Sequence, residues 1–335
     1  MNHFLACGVA GSELAESERQ LLRELAPGAV VLFARNVASR AQLAALVEEL
    51  RSLPEPPVVA IDLEGGRVNR LHGVLGALPS AAEAAAAGVP ACHALGEAAG
   101  AACAYFGIDL DFAPVLDVAS PGGWLAGEGR CWGRDGASVS RCAGAFLAGL
   151  ESYGVRGCLK HYPGLGSGGV DSHLELPVLG GGVREEEKVF RTLAAPHRAV
   201  MVAHALSPQL GEAFAPASLS ATVVGRLAKL PCGPVLADDL EMGALAGWGG
   251  VRERGVAALA AGCDQVILSN LLEERASLAA YVNRAAAGDY RLAARLQVGR
   301  RRVDAFQHGV ELRPVSWGEV ERAADTACRL AGRSA

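Results

Sequence analysis

The property of this 335-residue chain that most limits its fold is an alternation of two patterns. Residues 4–9, 29–33, 58–62, 110–118, 155–161, 199–204, 234–238 and 263–268 are short apolar runs rich in β-branched residues. Between them lie stretches with helical spacing of Ala, Leu, Glu and Arg, at 40–53, 81–106, 138–153, 185–195, 218–227 and 251–261. Strand alternating with helix implies parallel strands joined by right-handed crossovers. The runs are apolar throughout, as expected when both faces of a strand are covered. Eight such units within about 270 residues predict a single α/β domain, a closed (β/α)8 TIM barrel. Residues 271–335 are expected to form helices that close or flank it. No linker, composition break or fixed-period repeat divides the chain.

Composition excludes several classes. With 51% hydrophobic and 20% charged residues the chain is not disordered. A balance of 31 basic against 36 acidic residues, without basic runs, argues against nucleic acid as a partner. The nine cysteines are odd in number and widely spaced, with no C-x-x-C, which predicts reduced, buried thiols rather than a zinc site or a disulfide framework. No long uncharged apolar stretch predicts a membrane span, and residues 1–9 lack the basic start and apolar core of a signal peptide. The expected location is the cytoplasm, with no membrane partner.

Polar residues gather where the expected strands end: Arg35-Asn36, Asp62 to Arg70, Asp117, Lys160-His161, His204, Asp238-Asp239 and Ser269-Asn270. In a barrel these are the positions that carry chemistry. A charge at the end of a buried strand is costly unless paired, so the set reads either as a polar pocket or as a ring of ion pairs holding the mouth. Residues 160–173, Lys-His-Tyr-Pro-Gly-Leu-Gly-Ser-Gly-Gly-Val-Asp-Ser-His, are the most informative. In an extended segment Asp171 and His173 share a side. The carboxylate then fixes the imidazole tautomer and leaves the second ring nitrogen for proton transfer. A turn or helix cap is the bland alternative. Gly164 to Gly169 also matches G-x-G-x-x-G, but Pro177 argues against the helix that a dinucleotide site requires. His161, Asp171, His173 and His204 match no metal-ligand spacing, and Lys160 would repel a cation, so no metal is expected. No G-x-S-x-G nucleophile elbow is present.

Asp238 at a strand end fits a nucleophile or a general base, or, in the bland reading, an ion pair with Asp239 capping the next helix. Arg70, Arg130 and Lys160 are expected to keep Asp238 ionised and to hold ligand hydroxyls. A carboxylate, a proton shuttle and hydroxyl-binding donors describe glycoside hydrolysis better than phosphoryl transfer.

These residues resemble a family. Val31 to Asn36, the block Ile61-Asp-Leu-Glu-Gly-Gly-Arg-Val-Asn-Arg70, Asp111 to Val118, Lys160-His-Tyr-Pro-Gly164, Asp171-Ser-His173, Ala237-Asp-Asp-Leu-Glu-Met242 and Ala261 to Asn270 are similar to the single-domain β-N-acetylglucosaminidases of glycoside hydrolase family 3, the peptidoglycan-recycling type. The resemblance implies a retaining exo-β-N-acetylglucosaminidase acting on muropeptide fragments. It assigns Asp238 as nucleophile and His173 as acid/base oriented by Asp171. Asp62, Arg70, Arg130, Lys160 and His161 would hold the sugar ring. No metal or organic cofactor is implied. Oligomeric state stays open, with a monomer as the default. The sequence departs from the family where Leu165 replaces a usual His, Leu63 a usual Gln, and Cys131-Trp132 a usual Ser with Phe or Tyr. Leu165 leaves two alternatives standing, a family 3 hydrolase of altered sugar preference and a sugar-binding protein of weakened catalysis.

Overall fold

A computed structural model describes residues 2–333. The barrel strands are β1 (Asn2–Gly8), β2 (Pro27–Leu32), β3 (Val58–Ile61), β4 (Leu110–Asp111), β5 (Arg156–Tyr162), β6 (Ala199–Val202), β7 (Val235–Asp239) and β8 (Gln265–Leu268). They pair in chain order, all parallel, and β8 closes on β1.

Successive side chains of a strand face opposite sides of the sheet. One set, Ala6, Ala29, Val31, Val58, Ala60, Leu110, Phe112, Cys158, Ala199, Met201, Leu236 and Ile267, forms a buried cluster inside the barrel. Their neighbours, among them Leu5, Val30, Val59, Leu159, Val200, Ala237 and Val266, belong to the outer core beneath the helices. Both sides are dry, which is why the strands read as unbroken apolar runs. The alternation also decides what meets the C-terminal mouth. One step beyond Val58 and Ala60 comes Asp62, beyond Cys158 comes Lys160, and beyond Leu236 comes Asp238.

The main helices are α1 (Glu16–Leu25), α2 (Arg40–Arg51), α3 (Val89–Phe106), α4 (Gly136–Glu151), α5 (Val183–Leu193), α6 (Val251–Ala261), α7 (Glu274–Gly288), α8 (Tyr290–His308) and α9 (Trp317–Leu330). The contact of α3 with α4 depends on glycine: a Cβ at Gly96 would lie 2.0 Å from the carbonyl oxygen of Phe146. Phe306 of α8 joins the interior cluster, under the Arg156 guanidinium at 5.3 Å, and stoppers the barrel at its N-terminal end.

Three elements depart from expectation. The helix over 81–106 breaks at Gly88, φ +106°, into Ala81–Ala87 and α3. The strand over 110–118 keeps regular pairing only at Leu110–Asp111, because Pro114 has no N–H to donate; beyond it, Val115 bridges to Lys160. The helix over 218–227 reduces to Ala221–Val224 between 3-10 turns, where Thr222, Val223, Val224 and Gly225 are poor helix formers. All nine cysteines are buried and none is in a disulfide. Among the described residues no helix is long and apolar enough to cross a membrane.

Acids at the two ends of the barrel have different partners. At the N-terminal end Asp109 accepts the Val59 N–H at 2.9 Å and pairs with Arg51, and Asp264 accepts the Val235 N–H at 2.8 Å and pairs with Arg295 and Arg302. These carboxylates fasten strands to helices. At the opposite end the acids turn toward a cavity.

Candidate active site

At the C-terminal mouth, β3 runs into a two-stranded hairpin, Leu63–Gly65 with Val68–Asn69. Its turn uses Gly65 and Gly66 at φ +87° and +56°. The hairpin brings Asp62 and Glu64 to Lys160, whose Nζ lies 2.7 Å from Asp62 Oδ1 and 2.6 Å from Glu64 Oε1. Arg130 grips Glu64 with two parallel bonds, Nε to Oε2 and Nη2 to Oε1, both 2.8 Å. Burial alone would raise the Glu64 carboxyl, but the charges of Arg130 and Lys160 outweigh it and hold it far below the usual range. Lys160 is held protonated, because Asp62 and Glu64 outweigh its burial. Arg70 Nη2 lies 3.9 Å from Asp62 Oδ2.

Beside Lys160, the His161 Nδ1 lies 2.7 Å from Asp117 Oδ2, which leaves Nε2 for the cavity. Asp238 faces that cavity. Burial pushes its carboxyl up, and the neighbouring His161 and His204, the Asp239 N–H at 2.9 Å and the Lys160 ammonium bring it below the ordinary value. Of the groups expected to keep it ionised, Lys160 contributes, behind His161 and His204, whereas Arg130 is committed to Glu64 and Arg70 lies by Asp62. The next residue does the opposite. A register shift against β8 carries Asp239 toward Ser269, whose hydroxyl it accepts, and burial lifts its carboxyl to about 7. Asp239 thus closes β7 against β8 and does not cap a helix.

Asp171 and His173 are paired, although through a turn and not an extended segment. Asp171 Oδ1 accepts both the His173 backbone N–H at 3.0 Å and the ring Nδ1–H at 2.8 Å. The turn reading and the pairing reading therefore hold together. An ionised carboxylate only accepts, so the ring proton sits on Nδ1 and Nε2 is free to exchange one. Both hydrogen bonds and the imidazole charge outweigh burial and lower the Asp171 carboxyl. Gly243 N–H to the His173 carbonyl, 2.9 Å, and Ala244 N–H to that of Ser172, 3.1 Å, fasten this tip to the segment after β7.

All eight expected site residues, Asp62, Arg70, Arg130, Lys160, His161, Asp171, His173 and Asp238, line one cavity of about 160 Å³. Phe33, Phe112, Trp124, Leu165 and Met242 add apolar wall. Other polar strand ends bind the mouth together instead. Arg35 donates to the Val9 and Ser269 carbonyls and to Asn270, Asn36 donates to Val9 and Gly11, and His204 contacts Ser218 Oγ and the Asp239 carbonyl. Sequence reasoning did not assign Glu64, Asp111, Asp117 or Glu186. The signal for Glu64 was its place two residues after Asp62; the others make contacts that spacing does not reveal.

Asp111 sits beneath the acid cluster, with Oδ1 accepting the Leu63 N–H at 2.9 Å. Burial, with smaller contributions from Asp62 and Glu64, raises it to about 8. A carboxyl raised on folding stabilises fully below its unfolded value, about 4, and that contribution is lost as pH climbs through the folded value. Wild type is therefore expected to lose stability relative to Asp111→Asn between pH 5 and pH 8.5. Thermal melts of both proteins check this, and parallel curves would refute it.

The model of the glycosyl hydrolase family 3 N-terminal domain matches residues 5–302. A β-hexosaminidase of Methylococcus capsulatus is 36% identical over 314 residues, 88% of this chain and 92% of that protein. One of Neisseria meningitidis is 35% identical over 279 residues, 78% and 76% of the respective chains. Native NagZ from Neisseria gonorrhoeae superposes with TM-score 0.75 at 29% identity, covering 98% of each chain. A β-N-acetylhexosaminidase from Beutenbergia cavernae gives 0.81 at 28%, covering 91% of this chain and 96% of its own. On the family match and these identities, the chain belongs to glycoside hydrolase family 3.

Proposed function

We propose that this chain is a retaining exo-β-N-acetylglucosaminidase that releases N-acetylglucosamine from β-linked muropeptide fragments. The observation that carries the reading is the convergence of an ionised Asp238 and a carboxylate-paired His173 on one cavity lined by hydroxyl-binding groups. The β-hexosaminidase names of its relatives support it.

Asp62, Arg70, Arg130, Lys160 and His161 hold the sugar ring. Lys160 and Arg130 are already paired with Asp62 and Glu64, so these groups meet the ring as preorganised hydrogen-bonding partners. Asp238 attacks the anomeric carbon as His173 Nε2–H protonates the departing oxygen. The carbon–oxygen bond breaks as the Asp238 ester forms. His173 then takes a proton from water, which displaces Asp238 with a second inversion and leaves the anomer retained. Asp171 holds the ring orientation throughout and stabilises the imidazolium. An Asp–His pair takes the place of the second carboxylate of most glycosidases. The protein acts as a soluble cytoplasmic monomer without a metal or organic cofactor.

Incubation with a panel of β-glycosides, followed by NMR of the first-formed sugar, tests the assignment. The expected result is β-N-acetylglucosamine ahead of mutarotation. First-formed α-anomer, or no turnover of any N-acetylglucosaminide, would overturn it.

A further inference from the structure

We propose that Glu186 is a positioning residue for the acid/base pair, acting through the loop that carries Asp171 and His173; this rests on the reading of His173 as proton donor. Glu186 is on α5, outside the cavity lining, and is 2% exposed. Its Oε1 accepts two backbone N–H groups at once, Val118 at 2.9 Å and Gly166 at 3.0 Å. The first belongs to the segment after β4, the second to the glycine-rich loop after β5. One oxygen therefore ties the two loops that border the cavity on this side.

The join is tight. Glu186 Oε2 is buried, and a Cβ at Gly164 would come within 2.4 Å of the Glu186 side chain. At Gly166 a Cβ would lie 1.9 Å from the Val118 carbonyl oxygen. Asp117 reinforces the base of the loop by accepting the Leu165 N–H at 2.6 Å, but it also holds His161 and so touches the sugar-binding wall. Among the described residues Glu186 makes no hydrogen bond to that wall. Gly166 is five residues before Asp171, and the far side of that stretch is fastened at Gly243 and Ala244. Losing the Glu186 anchor loosens the near side, which keeps the Asp117 hold on Leu165 and the Trp124 N–H to the Gly168 carbonyl at 2.9 Å, and lets His173 drift from the glycosidic oxygen. A misplacement of about 1 Å is enough to cost roughly 100-fold in a positioned step.

The test separates proton delivery from general damage. N-acetyl-β-glucosaminides with leaving groups of graded acidity are assayed for kcat/KM, which reports formation of the glycosyl-enzyme. A dinitrophenolate departs without a proton, whereas an alkoxide does not. Glu186→Ala is expected to leave kcat/KM for the dinitrophenyl glycoside within about threefold of wild type and to lower that for an alkyl glycoside about 100-fold. Glu186→Gln, whose amide oxygen can still accept both N–H groups, restores the alkyl rate. If the Ala variant does not fold, Glu186→Asp, one methylene shorter, gives the same selective loss in folded protein. Equal loss on all glycosides in a folded variant, or no loss on any, overturns the proposal. His173→Ala serves as the control: if its losses do not depend on the leaving group, the fault lies with the acid/base reading and not with Glu186.

Discussion

Asp238→Ala is expected to lower kcat/KM for any β-N-acetylglucosaminide by about 10⁴-fold or more, the scale of loss when a bond-forming group is removed. Strand alternation from Leu236 turns Asp238 inward, and His161, His204, the Asp239 N–H and Lys160 keep its carboxyl below the ordinary value despite burial. Asp238→Asn keeps the shape and tests the charge alone, and is expected to lose activity on the same scale. The neighbouring acid is the control. Asp239 is lifted to about 7 and occupied by Ser269, so Asp239→Asn should retain most of the turnover. The environment drives two adjacent carboxyls apart, which is how like groups acquire different roles. External azide adds a second measurement: with Asp238→Ala it should form the glycosyl azide of inverted configuration, having replaced the missing carboxylate. If Asp238→Ala keeps near-normal turnover while folded, the nucleophile lies elsewhere.

The inward direction of Asp62, Lys160 and Asp238 follows from a period of two carried past an apolar strand, and so could be read from the residues before any coordinates. The same holds for the eight-strand order, since each run is long enough to be recognised. What the chain order hides is where loops return. Glu186 follows Gly166 by 20 residues, yet binds it and Val118, 68 residues away, with one oxygen. Asp171 and His173 were legible as neighbours, although their pairing arises from a turn that also uses the backbone N–H. Strand four was overextended because 112–118 is as apolar as a strand; Pro114 then removes a ladder donor, and the freed segment carries Asp117 to His161. The charge balance at the cavity could not be assigned from composition either. Arg130 was expected beside Asp238, but Glu64 takes its Nε–Nη2 edge with both carboxylate oxygens.

Lys160→Met measures how far the folded state depends on the shared cation of that cluster. Lys160 is 2% exposed and is the shared partner of Asp62 and Glu64. Removing it leaves Glu64 to Arg130 and Asp62 to the more distant Arg70. Breaking a buried pair from one side typically costs about 3–5 kcal/mol, because the remaining charge stays uncompensated. Lys160→Met is therefore expected to lower unfolding free energy by that amount in denaturant titrations at pH 7, and to abolish turnover as the sugar-binding wall and the field on Asp238 are lost. Adding Asp62→Asn should recover part of the stability, since the charge that the loss of Lys160 strands is removed with it. The double-mutant cycle then gives a coupling of at least about 1 kcal/mol. Activity should not return with the stability, because the cluster is arranged to receive sugar hydroxyls and an apolar replacement offers them nothing. An additive cycle would mean that Lys160 and Asp62 are screened from each other by solvent, and the preorganised wall on which the catalytic reading depends would be lost with it.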